Sequence, residues 1–331
     1  MISKVTCLRL LYAVPFLLLS SCYSEIDLDS EKDSEGRDLL VLNIIANPDS
    51  VVRAYATETY FFSDVHSGHK FIPGLKMTLV VNGTSKGEMT FDERKKAYCS
   101  DFIPNEGDTL SVSTTYMGQD VRASDIVPRK VAIEALDAER QGPTQYYWSN
   151  DYIFTYHITF TDPANERNYY FLKYDGWGDG IYGFMEERNY EYEFVFQQLA
   201  RQVQTSRPGW KPYSPLGLPF SDDGIDGKTH TLNVKEIVQG GTITYFQYWT
   251  CMHRKFWLYS ISESYYNYLV SLLVNDTYEE SISGGMIDIG LIEPGKVFSN
   301  IQGNGVGIMG SYVMAVTEAD ILDIVGHFPS K

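Results

Sequence analysis

The chain has 331 residues and a net charge of −16, with 43 acidic side chains against 27 basic ones. Binding of nucleic acid needs a basic surface opposite the phosphates, so this balance argues against a nucleic acid partner. It also argues against electrostatic docking on anionic lipid, so any membrane attachment must have another source.

Residues 1–21 are predicted to be a lipoprotein signal peptide. Lys4 and Arg9 flank an apolar run at 10–19, which is shorter than the roughly 20 residues needed to cross a bilayer. Leu19-Ser20-Ser21-Cys22 then places an apolar residue three positions before a cysteine, with small residues between them. We therefore expect cleavage before Cys22 and lipidation of its thiol, which would tie the chain to a membrane. The alternative is an ordinary secretory signal followed by an unrelated cysteine.

Residues 22–37 are predicted to be a flexible, lipidated acidic tether, because this polar composition cannot build a core. Acidic residues soon after a lipidated cysteine resemble the surface-export signal of Bacteroidota lipoproteins, which favours the cell exterior over the periplasmic face. Removal of residues 1–21 takes away two basic residues and no acid, so the mature chain would have a net charge near −18. Such a charge suits a soluble body that faces the medium.

Residues 38–130 are predicted to form an antiparallel sandwich of immunoglobulin-like size. Short apolar or alternating runs recur there with turn residues between them, and Asn82-Gly83 is a strong signal for a two-residue hairpin turn. A sandwich buries one face of each strand, which matches the alternation. The predicted strands are Leu39–Ile45, Val51–Thr57, Leu75–Val81, Lys95–Phe102 and Leu110–Tyr116.

Residues 131–331 are predicted to form a second, aromatic-rich β domain, since 35 of the 47 aromatic residues lie after position 145. Val131–Leu136 is expected to be a crossing strand, and Asp137–Thr144 a polar loop. Tyr152–Phe160 and Asn168–Tyr174 are predicted to be antiparallel partners. The predicted fold class is therefore mainly β, with one or two helices in the second domain.

One helix is predicted near residues 262–275, where apolar side chains recur at helical spacing and form a face that would pack on the sheet. Ser260-Ile261-Ser262-Glu263 fits a capping box at its start. A final short helical turn is expected to begin near 317–320. The residues of the apolar face are Tyr265, Tyr268, Leu269, Leu272 and Leu273.

Cys99 and Cys251 are the cysteines that remain once Cys7 has left with the signal peptide and Cys22 carries lipid. In an oxidising compartment they could form a disulfide, and two buried free thiols are an equally good interpretation. Their spacing does not suit zinc.

A glycine-rich aromatic segment at Tyr174–Tyr182 is the predicted ligand-binding loop. Flat rings beside carboxylates suit carbohydrate or apolar ligands, through stacking and hydrogen bonds. The candidate ligand-binding residues are Trp177, Asp175, Asp179 and Tyr182. The alternatives are a hairpin whose Trp177 packs into the core, or an interface with a partner.

Two motifs resemble ligand-binding patterns, one for a dinucleotide and one for calcium, but the residues around each motif do not support binding. Gly305–Gly310 matches G-x-G-x-x-G, but the residues that follow are typical of a strand rather than the helix that binds pyrophosphate. A bulge or a tight backbone approach is the better interpretation. Asp222–Gly227 resembles the start of a calcium loop, but Gly224 and Asn233 occupy positions that need acids, so a hairpin turn is favoured.

No Gly-x-Ser-x-Gly, His-Glu-x-x-His or reactive-cysteine pattern occurs in the sequence. No catalytic residue, metal or cofactor is therefore predicted. Catalysis by a hydrolase remains the least favoured class of function.

The ordered motifs of the mature chain resemble Bacteroidota outer-membrane lipoproteins classed as domain of unknown function 4249. The family differs in an extra aromatic residue near Met309 and a diglycine at the position of Gly303-Asn304. Since such proteins are often encoded beside TonB-dependent receptors, the resemblance implies a non-catalytic accessory that captures or delivers a ligand. A structural or adhesive surface protein is the alternative. The matching segments are Glu25–Asp27, Gly74–Gly83, Asn105–Leu110, Phe220–Lys228, Ser262–Leu269 and Pro294–Gly310.

Overall fold

The computed structural model describes residues 39–59, 70–144, 151–178, 188–190, 193–204, 217–238, 252–275 and 296–326. The predicted signal peptide and tether lie outside these residues. The described residues form sixteen strands and three helices, so the prediction of a mainly β fold is confirmed, with one helix more than expected. The immunoglobulin-like detail stays a prediction.

The first seven strands are β1 (Leu40–Ala46), β2 (Arg53–Glu58), β3 (Met77–Val81), β4 (Thr84–Asp92), β5 (Ala97–Cys99), β6 (Thr109–Tyr116) and β7 (Gln119–Ile126). The later strands are β8 (Ala135–Thr144), β9 (Asp151–Thr161), β10 (Tyr169–Gly178), β11 (Arg188–Asn189), β12 (Leu218–Ser221), β13 (Thr229–Val238), β14 (Met252–Ile261), β15 (Gln302–Gly303) and β16 (Gly305–Asp320). The helices are α1 (Phe194–Gln204), α2 (Glu263–Asn275) and α3 (Ile321–Val325).

Two sheets contain these strands. One has twelve strands in the order β12-β10-β14-β16-β1-β2-β5-β4-β3-β6-β7-β15, and it curls on itself. The other has four strands in the order β11-β13-β9-β8. Long β16 runs antiparallel to β14 and parallel to β1, so residues from the end of the chain join its first described strand. The predicted domain boundary near residue 130 falls between β7 and β8.

The first hydrophobic core lies within the curl of the large sheet. Strand β1 alternates buried and half-buried positions, which places Leu40, Leu42 and Ile44 inside. They pack with inward residues of β3 and β6, and β16 adds Met309 and Val313. The predicted alternation in this half is therefore present, and strand β4, which the sequence analysis did not identify, completes the hairpin at Asn82-Gly83.

The second core lies between the four-stranded sheet and the β12-β10-β14-β16 part of the large sheet. Strand β9 contributes Phe154, Tyr156, Ile158 and Phe160, which are fully buried against aromatic residues of β10, β12 and β14. The rings of Phe160 and Tyr170 lie 5.3 Å apart across this core.

The predicted pairing of Tyr152–Phe160 with Asn168–Tyr174 is wrong. These segments form β9 and β10, which belong to different sheets: β9 pairs with β8 and β13, whereas β10 pairs with β12 and β14. The connection between them therefore crosses from one layer to the other. In this arrangement the aromatic residues of β9 and β10 face each other and are buried in the same core.

The predicted polar loop at Asp137–Thr144 is also wrong. These residues belong to β8, the edge strand of the four-stranded sheet, with a register shift between Gln141 and Thr144. An edge strand tolerates polar residues and a proline because one side of its backbone is unpaired within the sheet. The residues before Ala135 are not part of a strand, so the crossing strand starts later than predicted.

Helix α2 confirms the predicted helix, but its cap lies two residues later than the sequence analysis placed it. Ser260 belongs to β14, and Ser262 is the cap, since its Oγ accepts the backbone N–H of Tyr265 at 3.3 Å. The helix packs against β16, where the missing side chain of Gly310 leaves room for Tyr265. The final turn starts later than expected: residues 317–320 still belong to β16, and α3 begins at Ile321 with Asp320 as its cap. Within the described residues, no helix combines the length and apolarity required for a membrane span.

Candidate functional site

A cleft of about 690 Å³ opens where three segments meet. The end of β7 and the residues after it form one side, the turn before β10 forms the second, and the β14–α2 junction forms the third. The volume lies within the range of small-molecule sites. Hydroxyl and charged side chains line it, and they are Thr109, Ser124, Asp125, Arg129, Glu166, Arg167, Tyr169, Ser260, Ser262, Glu263 and Ser264.

Asp125 lies at the floor of the cleft. In β7 every second residue points inward, and Asp125 follows Val121 and Ala123 in that series, which places a carboxyl group at an apolar position. The residue is 8% exposed. Burial raises its pKa to about 6, although hydrogen bonds from hydroxyl groups, that of Ser311 foremost, favour the ionised form.

Ser262 and Ser311 form hydrogen bonds with each other at the floor of the cleft, where the start of α2 meets β16. The backbone N–H of Ser262 donates to the carbonyl of Ser311 at 2.9 Å, and the N–H of Ser311 donates to Ser262 Oγ at 3.1 Å. Ser311 Oγ in turn lies 2.5 Å from Asp125 Oδ2. The floor is therefore a set of buried polar contacts between strands that are distant in sequence.

The wall of the cleft is built around Arg167. Its guanidinium donates to both oxygens of Asp223, with 2.8 Å between Nη2 and Oδ2, and these bonds raise the pKa of Arg167 and lower that of Asp223. Nη1 also lies 3.0 Å from Asp222 Oδ1, as an ion pair without well-aligned hydrogen-bond geometry. The guanidinium carbon stands 5.5 Å from the ring centre of Tyr169, whose hydroxyl donates to Glu263 at 3.2 Å.

Three carboxylates stand behind this wall. Asp162, Asp222 and Asp226 each offer an oxygen, and these oxygens lie within 4.8 Å of one another, an arrangement that can hold a cation. Burial raises the pKa of Asp162 and of Asp222, with further contributions from neighbouring carboxylates.

Local donors nevertheless occupy most of these oxygens. Asp162 accepts the Tyr170 hydroxyl and, at 3.0 Å, the N–H of Gly227. Asp222 Oδ2 accepts the N–H of Asn168 at 2.7 Å, and Asp226 Oδ1 accepts that of Asn165 at 2.9 Å. The carboxylates thus fasten two turns together, which favours a turn at Asp222–Gly227 over a calcium loop. The predicted hairpin is wrong, because the flanking strands β12 and β13 belong to different sheets.

The cleft is suited to hydrogen-bonded binding of a polar molecule. None of the described residues that line it is a histidine or a cysteine, so its serine hydroxyls have no imidazole beside them there. Hydroxyl groups serve as donors and acceptors, and Glu166 and Glu263 add acceptors at the rim. Arg167 is bound to its two carboxylates, and the hydroxyl groups of the lining suit a hydroxylated ligand.

The predicted binding residues lie elsewhere. Strand β10 extends through Gly178, so the first part of the expected loop is strand, and Asp175 is an exposed residue opposite Lys255 of β14. Trp177 pairs with His253 in the same ladder. Asp179 and Tyr182 lie outside the described residues. None of these four is among the described residues that line the cleft.

Cys99 has a free, partly buried thiol in β5, and Cys251 lies outside the described residues, as does Cys22. The glycines of Gly305–Gly310 lie inside β16, as the sequence analysis favoured. At Gly307, with φ +121°, an added Cβ would stand 2.3 Å from the carbonyl oxygen of Leu42, so a tight approach of two backbones requires glycine here.

Sequence analysis missed the cleft. The sequence pattern around Asp125 could have indicated a polar site. Asp125 is an acid at an inward position of an alternating strand, and a buried acid is rarely tolerated without hydrogen-bonding or charged partners. The partners could not be located, since Ser311 lies 186 residues further along the chain.

Residues 23–318 match the family described as Domain of unknown function (DUF4249). The chain belongs to this family. The resemblance inferred from its ordered motifs is therefore confirmed, and the match includes the cleft, the first core and the second core apart from the residues of α3. No curated protein and no solved structure matches the chain at a significant level.

Proposed function

We propose that this member of the family is a lipid-anchored outer-membrane protein, facing the cell exterior, that binds a polar ligand without chemistry and passes it to a TonB-dependent receptor. The cleft carries this proposal, because its size, its hydroxyl lining and its position between rigid strands suit the binding of a small hydroxylated molecule. The anchor is Cys22, and the acidic tether that follows gives the body reach above the membrane.

The anchor is tested by metabolic labelling with palmitate. The natural protein should take up label and fractionate with membranes, and Cys22→Ala should lose both properties. A membrane-bound Cys22→Ala variant, or an unlabelled natural protein, contradicts the anchor.

The receptor is tested by purification from native membranes in a mild detergent, followed by mass spectrometry. Recovery of a β-barrel receptor supports the proposal, and recovery of the protein alone contradicts it.

Ligand binding is tested by thermal unfolding with a panel of mono- and disaccharides. At least one saccharide should raise Tm, and Ser124→Trp should abolish the rise because the indole would fill the cleft. Thr115→Trp is the matched control, since Thr115 is exposed on neighbouring β6 and is not part of the lining. A rise that survives Ser124→Trp places the ligand outside the cleft.

An adhesive role is the second candidate, favoured by the outer face of β14 and β16. The Trp257 ring has the ammonium of Lys173 at 5.2 Å and that of Lys255 at 5.6 Å, and Val316 opposite it is 43% exposed. Trp257 and Val316 lie side by side across the two strands, and contiguous apolar surface of this kind marks protein contacts. A Trp257→Ala strain that grows normally but fails to attach would support this role over ligand delivery.

A further inference from the structure

We propose that Asp125 and Ser311 form a proton-dependent latch at the floor of the cleft, closed while Asp125 holds a proton and loosened when the proton leaves. The latch joins β7 to β16 and to the start of α2, so its state sets how firmly two sides of the cleft are held together. It does not depend on the identity of any ligand or receptor.

The hydrogen-bond geometry calls for a proton on Asp125. Ser311 Oγ lies 2.5 Å from Asp125 Oδ2 and 2.9 Å from the carbonyl oxygen of Ile126. A serine hydroxyl has one hydrogen, so it cannot serve two acceptors at full strength. If Asp125 is protonated, its O–H donates to Ser311 Oγ, and the serine hydrogen goes to Ile126. Both short contacts are then satisfied hydrogen bonds.

No cation of the described residues is among the groups that shift the pKa of Asp125. The groups that act on it are the hydroxyl of Ser262, the cap of α2, that of Ser264 in α2, that of Ser311 in β16, and the N–H of Ile126. Ser311 is fully buried. A carboxylate in this setting has hydrogen-bond donors but no opposite charge, which favours the neutral acid.

Four charged residues share the cleft with Asp125, and they are Arg129, Glu166, Arg167 and Glu263. The guanidinium of Arg167 is bound to Asp223, and Glu263 accepts the Tyr169 hydroxyl. The two arginines and the two glutamates balance in charge, and burial is the largest effect on the pKa of Asp125. The raised pKa near 6 agrees with this arrangement.

The direction of the pH effect follows from linkage. An aspartate whose pKa is higher in the closed state than in the open state binds more protons when closed, so closure weakens as pH rises. With a pKa of 3.8 in the open state and about 6 in the closed state, opening should become about tenfold more frequent between pH 5 and pH 7.5.

Hydrogen–deuterium exchange of the lipidated full chain in detergent measures this opening. After correction for intrinsic exchange rates, backbone protection at residues 124–127, 260–266 and 310–312 should fall about tenfold from pH 5 to pH 7.5. Asp125→Asn cannot ionise, so its protection there should not change with pH. Asp120→Asn is the matched control, since Asp120 is an exposed acid on the same strand and the variant should behave like the natural chain.

Direct titration supplies a second measurement, which does not require the asparagine variant to fold. Carbon-13 NMR of the chain labelled at its aspartate carboxyl carbons should show one aspartate with a midpoint near pH 6. A midpoint near 4 for every aspartate, or pH-independent protection of the floor in the natural chain, would overturn the latch.

Discussion

Arg254 and Glu236 form an ion pair inside the second core. Arg254 Nε lies 3.0 Å from Glu236 Oε2, and Nη2 lies 3.2 Å from Oε1. The two side chains are only 10% and 2% exposed. Because Arg254 belongs to β14 and Glu236 to β13, the pair joins the two layers of the sandwich, and Tyr156 donates its hydroxyl to the same carboxylate.

Removal of one partner should be strongly destabilising, because the other charge would remain buried without its counter-ion. We expect Arg254→Met to lower the free energy of unfolding by about 3–5 kcal/mol, measured by urea denaturation. The double variant Arg254→Met with Glu236→Leu should recover much of this loss, since no charge is left in the core. Lys255→Met is the control: its pair with Glu318 is at the surface, so it should change stability by less than about 1 kcal/mol. A single variant Arg254→Met as stable as this control would contradict the prediction.

Gly307 is predicted to be indispensable for the pairing of β16 with β1. Its φ of +121° disfavours a side chain, and an added Cβ would overlap the carbonyl of Leu42, a backbone atom that cannot move aside cheaply. We expect Gly307→Ala to cost about 2–4 kcal/mol in thermal or urea unfolding, from strain and a disturbed ladder. Gly118→Ala separates these effects: Gly118 also has positive φ, but open space surrounds it, so about 1 kcal/mol is expected. Equal losses at both sites would contradict the steric argument.

Local features of the fold were readable from sequence. The alternating buried positions of β1 and β6 follow directly from the pattern of apolar residues. Asn82 and Gly83 have φ of 49° and 75°, the positive values that a tight hairpin requires and that these two residue types tolerate. Helix α1 also left a signal, since its buried residues recur at helical spacing, although the sequence analysis did not use it.

The predictions that failed concern features that depend on contacts between distant segments of the chain. Strands β9 and β10 are neighbours along the chain and resemble a hairpin, but they pair with different strands, and Phe160 packs against Tyr170 across the core between the two layers. The cleft has the same limitation, because it joins residues near positions 125, 167 and 262. A single sequence identifies an unusual inward acid at Asp125 but contains no information about which serine faces it.

Asp162 is predicted to stabilise the turns behind the cleft through its two acceptor oxygens. Asp162→Ala would leave the buried hydroxyl of Tyr170 and the part-buried N–H of Gly227 without an acceptor, at a cost of about 2–3 kcal/mol. Asp226→Ala removes an exposed acceptor from the same cluster, so about 0.5–1 kcal/mol is expected. Urea denaturation of both variants measures the difference, and an Asp226→Ala loss as large as that of Asp162→Ala would contradict this role.

The same cluster predicts that calcium has little effect on stability. A bound ion would have to replace hydrogen bonds to Asp162, Asp222 and Asp226, and the Arg167 guanidinium already stands 3.0 Å from Asp222 Oδ1. Thermal unfolding with 1 mM calcium chloride, against the same protein in chelator, should therefore give the same Tm within about 1 °C. A site with a Kd of about 10 µM would instead stabilise the protein by about 2.7 kcal/mol, enough to raise Tm by about 5 °C or more. Such a rise, lost in Asp226→Asn but kept in the surface variant Asp120→Asn, would mean that the three carboxylates bind a cation rather than fasten two turns.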